Sequence, residues 1–225
     1  MSYFVTGTDT GVGKTLVSCA LLHAFAAQGK RVVGMKPVAC GCDEDGRHED
    51  VEKLSAAGNV DAAHGQVNPY CFVSPIAPSI AAHAAGRRIE LDFIVSAYRK
   101  LAAQADVVIV EGVGGYRVPL NERQDGADMA AHLGLPVIMV VGMRLGCLNH
   151  ALLTDAAIRG SGVKLAGWVA NAPDAGMPAL RENIVTLQQC LQAPLLGVTE
   201  FQRHADAVVV SRQLQIGLLD TAGDE

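Results

Sequence analysis

An α/β domain with a mostly parallel sheet, covered by helices on both faces, is the fold class this sequence predicts. Three observations carry that prediction. Uninterrupted apolar runs recur along the chain, as strands buried on both faces require. Helically spaced segments separate the runs, so successive strands return in parallel through right-handed crossovers. Between the first apolar run and the first helical pattern stands Gly7-Thr8-Asp9-Thr10-Gly11-Val12-Gly13-Lys14-Thr15, a glycine-rich loop that ends in Lys-Thr.

Tyr3 to Thr6 reads as the first strand, and Leu16 to about Ala27 as the first helix. Further strands are expected at Val32–Met35, Val107–Val110, Val137–Val141, Leu165–Val169 and Leu195–Val198. Leu91, Ile94, Val95, Tyr98 and Leu101 recur at helical spacing, and Ala151–Ile158 and Leu180–Leu191 also read as helices. Residues 41–88 are irregular, with charged, Gly and Pro residues. They are expected to form a loop-rich excursion over the strand ends, where open α/β sheets bind ligands. Beyond Phe201 the pattern supports no assignment. With no repeat, linker or low-complexity segment, one domain over 1–225 is expected.

Composition narrows the function. Half of the 225 residues are hydrophobic but only 4% are aromatic, which suits a close-packed α/β interior. The net charge of -5 argues against nucleic acid or an anionic membrane as the main partner. No apolar run nears the roughly 20 residues that span a bilayer, and no basic leader precedes the first strand, so a cytoplasmic protein is expected. Its cysteines (19, 40, 42, 71, 147 and 190) are expected to be reduced thiols. Cys40 and Cys42 form a C-x-C, but no second Cys/His pair stands at zinc spacing.

The strand–loop–helix context makes Gly7–Thr15 a phosphate-binding loop, hence a P-loop NTPase-like fold. Thr8 stands where the usual pattern has its first glycine. Backbone N–H groups from Val12, Gly13, Lys14, Thr15 and Leu16 would wrap a triphosphate, with Lys14 along its β/γ-phosphates and the Thr15 hydroxyl on Mg²⁺. Lys36 follows the second strand, so it would emerge at the same sheet edge and offset charge on a transferring phosphoryl group. Glu111 ends the Val107–Val110 run and is the expected second anchor for Mg²⁺, while Gly112 and Gly114 let the backbone approach the nucleotide. Lys36 and Glu111 could also be a surface lysine and a helix cap. Asp50 sits in an acidic run, and residue type alone does not select it over Glu49 or Glu52. Leu145-Gly146-Cys147-Leu148-Asn149-His150 opens a helix whose N–H groups could bind a carboxylate. Cys147 and His150 need not face each other, which weighs against a Cys–His nucleophile. Asn171, before Ala172 and Pro173, either reads a purine edge or forms a turn.

Together YFVTGTDTGVGKT, KPVACG, VNPYCF, EGVGGYRVPL, LPVIMVVGMRLGCLNHALLT and LAGWVAN resemble the dethiobiotin synthetases, in the same order from residue 3 to 171. The resemblance implies an ATP-dependent ligase that joins CO₂ to 7,8-diaminononanoate and closes a ureido ring through a carbamic–phosphoric anhydride. It implies Lys14 and Lys36 at the reacting groups, and Thr15, Asp50 and Glu111 around Mg²⁺, which selects Asp50 from its neighbours. Asn171 and Ala172 would lie at the adenine. Cys40 stands where the family often has Ser or Thr near the substrate. Neither biotin nor an iron–sulfur cluster is expected as a cofactor. The family is homodimeric, so Gly146, Cys147, Leu148 and Asn149 would reach the substrate carboxylate of a neighbouring subunit. The main rival is a nucleotide-switch ATPase, which would bring a basic amphipathic tail that this chain does not show. A glutamine-dependent amide ligase would need a further domain, and a nicotinamide-binding loop would read G-x-G-x-x-G.

Overall fold

Phe4 and its neighbours Tyr3 and Val5 point to opposite faces of one strand, and the same alternation through the central strands builds two cores. A computed structural model describes residues 1–219. The chain runs β1 (Ser2–Gly7), α1 (Lys14–Ala27), β2 (Val32–Met35), β3 (Val38–Cys40), α2 (Glu49–Ala57), α3 (His64–Val67) and β4 (Tyr70–Phe72). It continues with α4 (Pro78–Ala84), α5 (Leu91–Ala102), β5 (Val107–Glu111), α6 (Gly126–Leu133) and β6 (Val137–Gly142). Last come α7 (Cys147–Gly160), β7 (Leu165–Asn171), α8 (Leu180–Cys190), β8 (Leu195–Thr199), α9 (Ala207–Ser211) and a 3₁₀ turn (Ile216–Leu219).

Six strands form one sheet in the order β2-β5-β1-β6-β7-β8, with every neighbouring pair parallel. On one face α1, α2 and α9 cover Val5, Ile109, Val140 and Val169 with Leu21, Leu22, Leu54 and Val210. On the other, α5 to α8 cover Phe4, Val108, Met139 and Trp168 with Ile94, Leu101, Ala130 and Leu187. Full burial of each such large side chain stabilises by roughly 1.5–3 kcal/mol relative to exposure. Register then sets the functional edge. Val5 pairs with Glu111, Gly7 with Val140 and Met35 with Val110. The phosphate loop, Glu111 and Lys36 therefore leave the sheet side by side, at the carboxyl ends of the strands.

The irregular stretch holds more structure than its composition suggests. Residues 41–88 contain α2, α3 and α4, and β3 pairs in parallel with β4 in a small second sheet. Inside the acidic run, Val51, Leu54 and Ala57 recur at helical spacing and are buried, docking α2 against α1 and β2. The segment beyond Phe201 forms α9, which packs on α1. α6 is fixed locally by a capping box between Asp125 and Asp128.

One expectation is corrected here: Cys42 and Cys71 are disulfide-bonded rather than free thiols, with their Cα atoms 6.1 Å apart. The β3–β4 pairing sets Ala39 opposite Cys71, and just past β3 the Gly41 and Cys42 N–H groups both donate to the Phe72 carbonyl, which brings Cys42 within bonding reach of Cys71. Cys19, Cys40, Cys147 and Cys190 are free. Among the described residues no helix is long and apolar enough to cross a membrane.

Candidate active site

Gly13, the residue that precedes α1, is left-handed (φ 90°), and no side chain caps the helix. Its first-turn N–H groups are thus available to an anion. A Cβ on Gly13 would lie 2.3 Å from Asn171 Nδ2, so the loop closes only over glycine. Behind the loop, the buried Asn171 amide donates to the Val12 carbonyl at 2.8 Å, and Val12 itself is buried.

Five side chains meet in front of it. Lys14 Nζ donates to the Asp9 carbonyl at 3.0 Å, folded back on its own loop. The Thr15 hydroxyl donates to Glu111 Oε1 at 2.9 Å. Lys36 Nζ donates to Asp50 Oδ2 at 2.9 Å and, through a short contact, to the same Glu111 Oε1. Lys36 is 4% exposed and Glu111 1%, so both charges lie out of water. Burial alone would lower the Lys36 pKa, but the adjoining Glu111 and Asp50 carboxylates raise it. Burial opposes ionisation of Asp50, yet the Lys36 charge and hydrogen bond, with the Thr15 hydroxyl, hold it below the usual carboxylate range. Lys14 is pulled down to about 8, first by burial and then by Lys36, against Glu111, Asp50 and Asp9.

These groups line a cavity of about 410 Å³ with Thr10, Gly11, Gly13, Cys40, His48, Val113 and Gly114. A second cavity, of about 860 Å³, shares Thr15 with it and runs along Leu16, Cys19 and Lys53 to residues 202–207. A third, of about 560 Å³, opens at the opposite sheet edge beside Tyr3 and Lys164. It gathers none of the buried charged groups, so the chemistry belongs to the first.

Among known proteins, the chain matches the family model described as an AAA domain over residues 1–208. It is 56% identical to the ATP-dependent dethiobiotin synthetase BioD of Nitrosospira multiformis, over 95% of this chain and 94% of that one. With the enzyme of the same name from Aromatoleum aromaticum it shares 50% identity over 96% and 97% of the two chains. The chain belongs to the dethiobiotin synthetase family. Its fold is that of P-loop NTPases. The septum site-determining protein MinD of Pyrococcus horikoshii, solved with Mg-ADP, superposes with a TM-score of 0.53 over 100% of this chain and 97% of its own. At 15% identity that likeness concerns the fold alone.

For this member of the dethiobiotin synthetase family, the structure gathers Lys14, Thr15, Lys36, Cys40, Asp50, Glu111, Gly13 and Gly114 around one cavity. Gly112 lies beneath it, where a Cβ would approach Phe4 Cζ to 3.0 Å. Leu16 faces the second cavity. Ala172 is buried beyond β7, its N–H donating to the Thr199 carbonyl at 2.8 Å. Gly146, Cys147, Leu148 and Asn149 do not line this cavity. Gly146 is left-handed (φ 93°) and opens α7 without a side-chain cap. Burial raises the Cys147 thiol, contrary to what a nucleophile needs. The thiol of Cys40 is raised by burial too, partly offset by Lys36.

Sequence reasoning passed over two residues here. His48 lines the cavity, and Arg144 pairs with Asp9 of the phosphate loop. His48 belongs to no motif, and Arg144 sits inside LPVIMVVGMRLGCLNHALLT without a role that the motif assigns. Each depends on loops that only the folded chain brings together.

Proposed function

We propose that this chain, acting as one domain, is an ATP-dependent dethiobiotin synthetase, a ligase that forms C–N bonds. It would convert 7,8-diaminononanoate, CO₂ and ATP to dethiobiotin, ADP and phosphate. The observation that carries this reading is 56% identity to a dethiobiotin synthetase across 95% of the chain. The site's chemistry supports it independently. Two buried lysines face two carboxylates at the mouth of a phosphate loop, and no side chain is set up as a covalent nucleophile.

One substrate amine takes up CO₂ as a carbamate, and a carbamate oxygen attacks the γ-phosphorus of ATP while ADP leaves. The second amine then attacks the carbon of the resulting carbamic–phosphoric anhydride. It loses its proton and expels phosphate as the five-membered ring closes. Lys14 and Lys36 would counter the charge of the transferring phosphoryl group, acting as preorganised cations in a site shielded from water. The remaining contribution is orientation, since both amines belong to one molecule.

Thr15, Asp50 and Glu111 fit Mg²⁺. Glu111 Oε2 is buried without a hydrogen-bond partner, and all three residues offer hard oxygen donors. Among the described residues no three His, Cys, Asp or Glu side chains form a metal cage. That agrees with an ion held largely by phosphates and water. When bound, Mg²⁺ would neutralise phosphate charge and template the triphosphate.

The nucleoside end would lie along the second cavity, near residues 202–207. Asn171 and Ala172 stay at the base side of the phosphate loop in this reading. Their part is indirect, because the Asn171 amide nitrogen supports Val12. A homodimer is supported by apolar side chains left in water around α7: Leu145 (98% exposed), Leu152 and Leu153. In that dimer Gly146 to Asn149 would serve the neighbouring subunit's substrate carboxylate. Synthesis in the presence of ¹³C-bicarbonate tests the reading. The label should enter the ureido carbon only when ATP and the diamine are both present, and an unlabelled product would defeat it.

A further inference from the structure

Asp50 reaches the cavity from α2, yet the chain before it is a largely exposed loop, residues 41–47, that buries little besides Cys42. What fixes the start of α2 is His48. It is the N-cap residue, in extended conformation (φ -139°, ψ 134°), and its Nδ1 accepts from the Asp50 N–H at 3.1 Å. Its Nε2 lies 3.2 Å from the Cys40 carbonyl at the end of β3. A carbonyl only accepts, so Nε2 must carry the hydrogen. That assignment leaves Nδ1 with the lone pair that Asp50 N–H requires. The strand end thus sets the tautomer, and the tautomer sets the cap. An imidazole here takes the place of the usual Ser, Asp or Asn oxygen at a helix start.

We propose that His48 is a positioning residue for Asp50, holding its backbone so that its carboxylate faces Lys36 and the metal position. Both its ring nitrogens are engaged by protein groups, the Asp50 N–H and the Cys40 carbonyl. The inference rests on the reading of Asp50 as a metal ligand. Groups that orient ligands without touching the metal commonly govern affinity for it.

The test is calorimetric titration of Mg²⁺ into the ADP complex of the full chain, with thermal melts of each variant alongside. His48→Ala should weaken Mg²⁺ binding roughly five- to tenfold, with ADP affinity in EDTA unchanged. His48→Asn keeps a capping oxygen and should return Mg²⁺ affinity to within about twofold of wild type. A role in folding alone would lower the melting temperature and leave the Mg²⁺ titration in place. Wild-type Mg²⁺ affinity in His48→Ala, or an Asn variant as weak as the Ala variant, overturns the proposal. Asp50→Asn is run in parallel. If it weakens Mg²⁺ binding while His48→Ala does not, Asp50 remains a ligand and only the inference fails. If Asp50→Asn has no effect, the ligand reading fails and takes the inference with it.

Discussion

The Thr15 hydroxyl donates to Glu111 Oε1 at 2.9 Å, joining two residues 96 positions apart. The contact follows from strand register. Val5 pairs with Glu111 in β1–β5, so the end of β5 faces the loop that β1 feeds. Lys36 completes the arrangement by donating to the same carboxylate oxygen. A hydroxyl, a carboxylate and an ammonium thus share one buried point at the mouth of a phosphate site.

Lys36 is the residue on which turnover should depend most. Lys36→Gln should leave ATP affinity within about tenfold and raise the barrier to ring closure by roughly 3–4 kcal/mol, as loss of transition-state charge stabilisation does. Equilibrium ATP binding and single-turnover kinetics separate the two effects. Unchanged turnover would make Lys36 a structural cation only.

Lys14 should trade stability for chemistry. Its pKa falls from 10.5 to about 8 on folding, so the unfolded chain binds more protons between those values. Stability of the ligand-free protein should therefore rise with pH through that window, the penalty being fully present below about 8. Lys14→Met removes the charge and should stabilise the ligand-free protein by roughly 1–3 kcal/mol while abolishing turnover. Urea melts at pH 7 decide it: a variant less stable than wild type contradicts the assignment of Lys14 as a buried, destabilising cation.

The Cys42–Cys71 link closes a loop of 29 residues in sequence separation. Replacing both cysteines by serine should cost roughly 2–4 kcal/mol of stability relative to the oxidised protein. In excess dithiothreitol the difference should largely vanish. Equal stability of variant and oxidised wild type would mean that the bond contributes nothing to the fold.

The phosphate loop, Lys36 and Glu111 were legible in the sequence because each sits at a strand end that pattern alone locates. Asp50 was not. Three acidic residues share its neighbourhood, and the docking of Val51 and Leu54 decides which one turns inward. Resemblance selected it, and packing supplies the reason. The disulfide escaped because it depends on β3 pairing with β4, two three-residue strands whose alternation is too short to read. Asn171 was read either as a group facing the base or as a turn residue, and in the fold its amide nitrogen donates to the Val12 carbonyl. Residue type fixed what that side chain can bond, and only the fold decided with what.

If the α7 start serves a neighbouring subunit, activity should fail when the dimer does. Leu153, exposed on α7, is the position for a charge. Leu153→Glu should yield a folded monomer by analytical ultracentrifugation, with synthesis reduced by at least about a hundredfold, as expected when a site loses groups that position its substrate. A monomer with full activity would show the site to be complete in one chain.

Phosphoryl transfer at the Lys14–Lys36 site is expected to serve ring closure. Its most direct measurement follows phosphate and dethiobiotin together, with ATP, Mg²⁺ and bicarbonate, in the presence and absence of 7,8-diaminononanoate. Both products should appear in equal amounts and only with the diamine. Steady phosphate release indifferent to the diamine, with no ring product, would contradict it and identify a nucleotide switch instead.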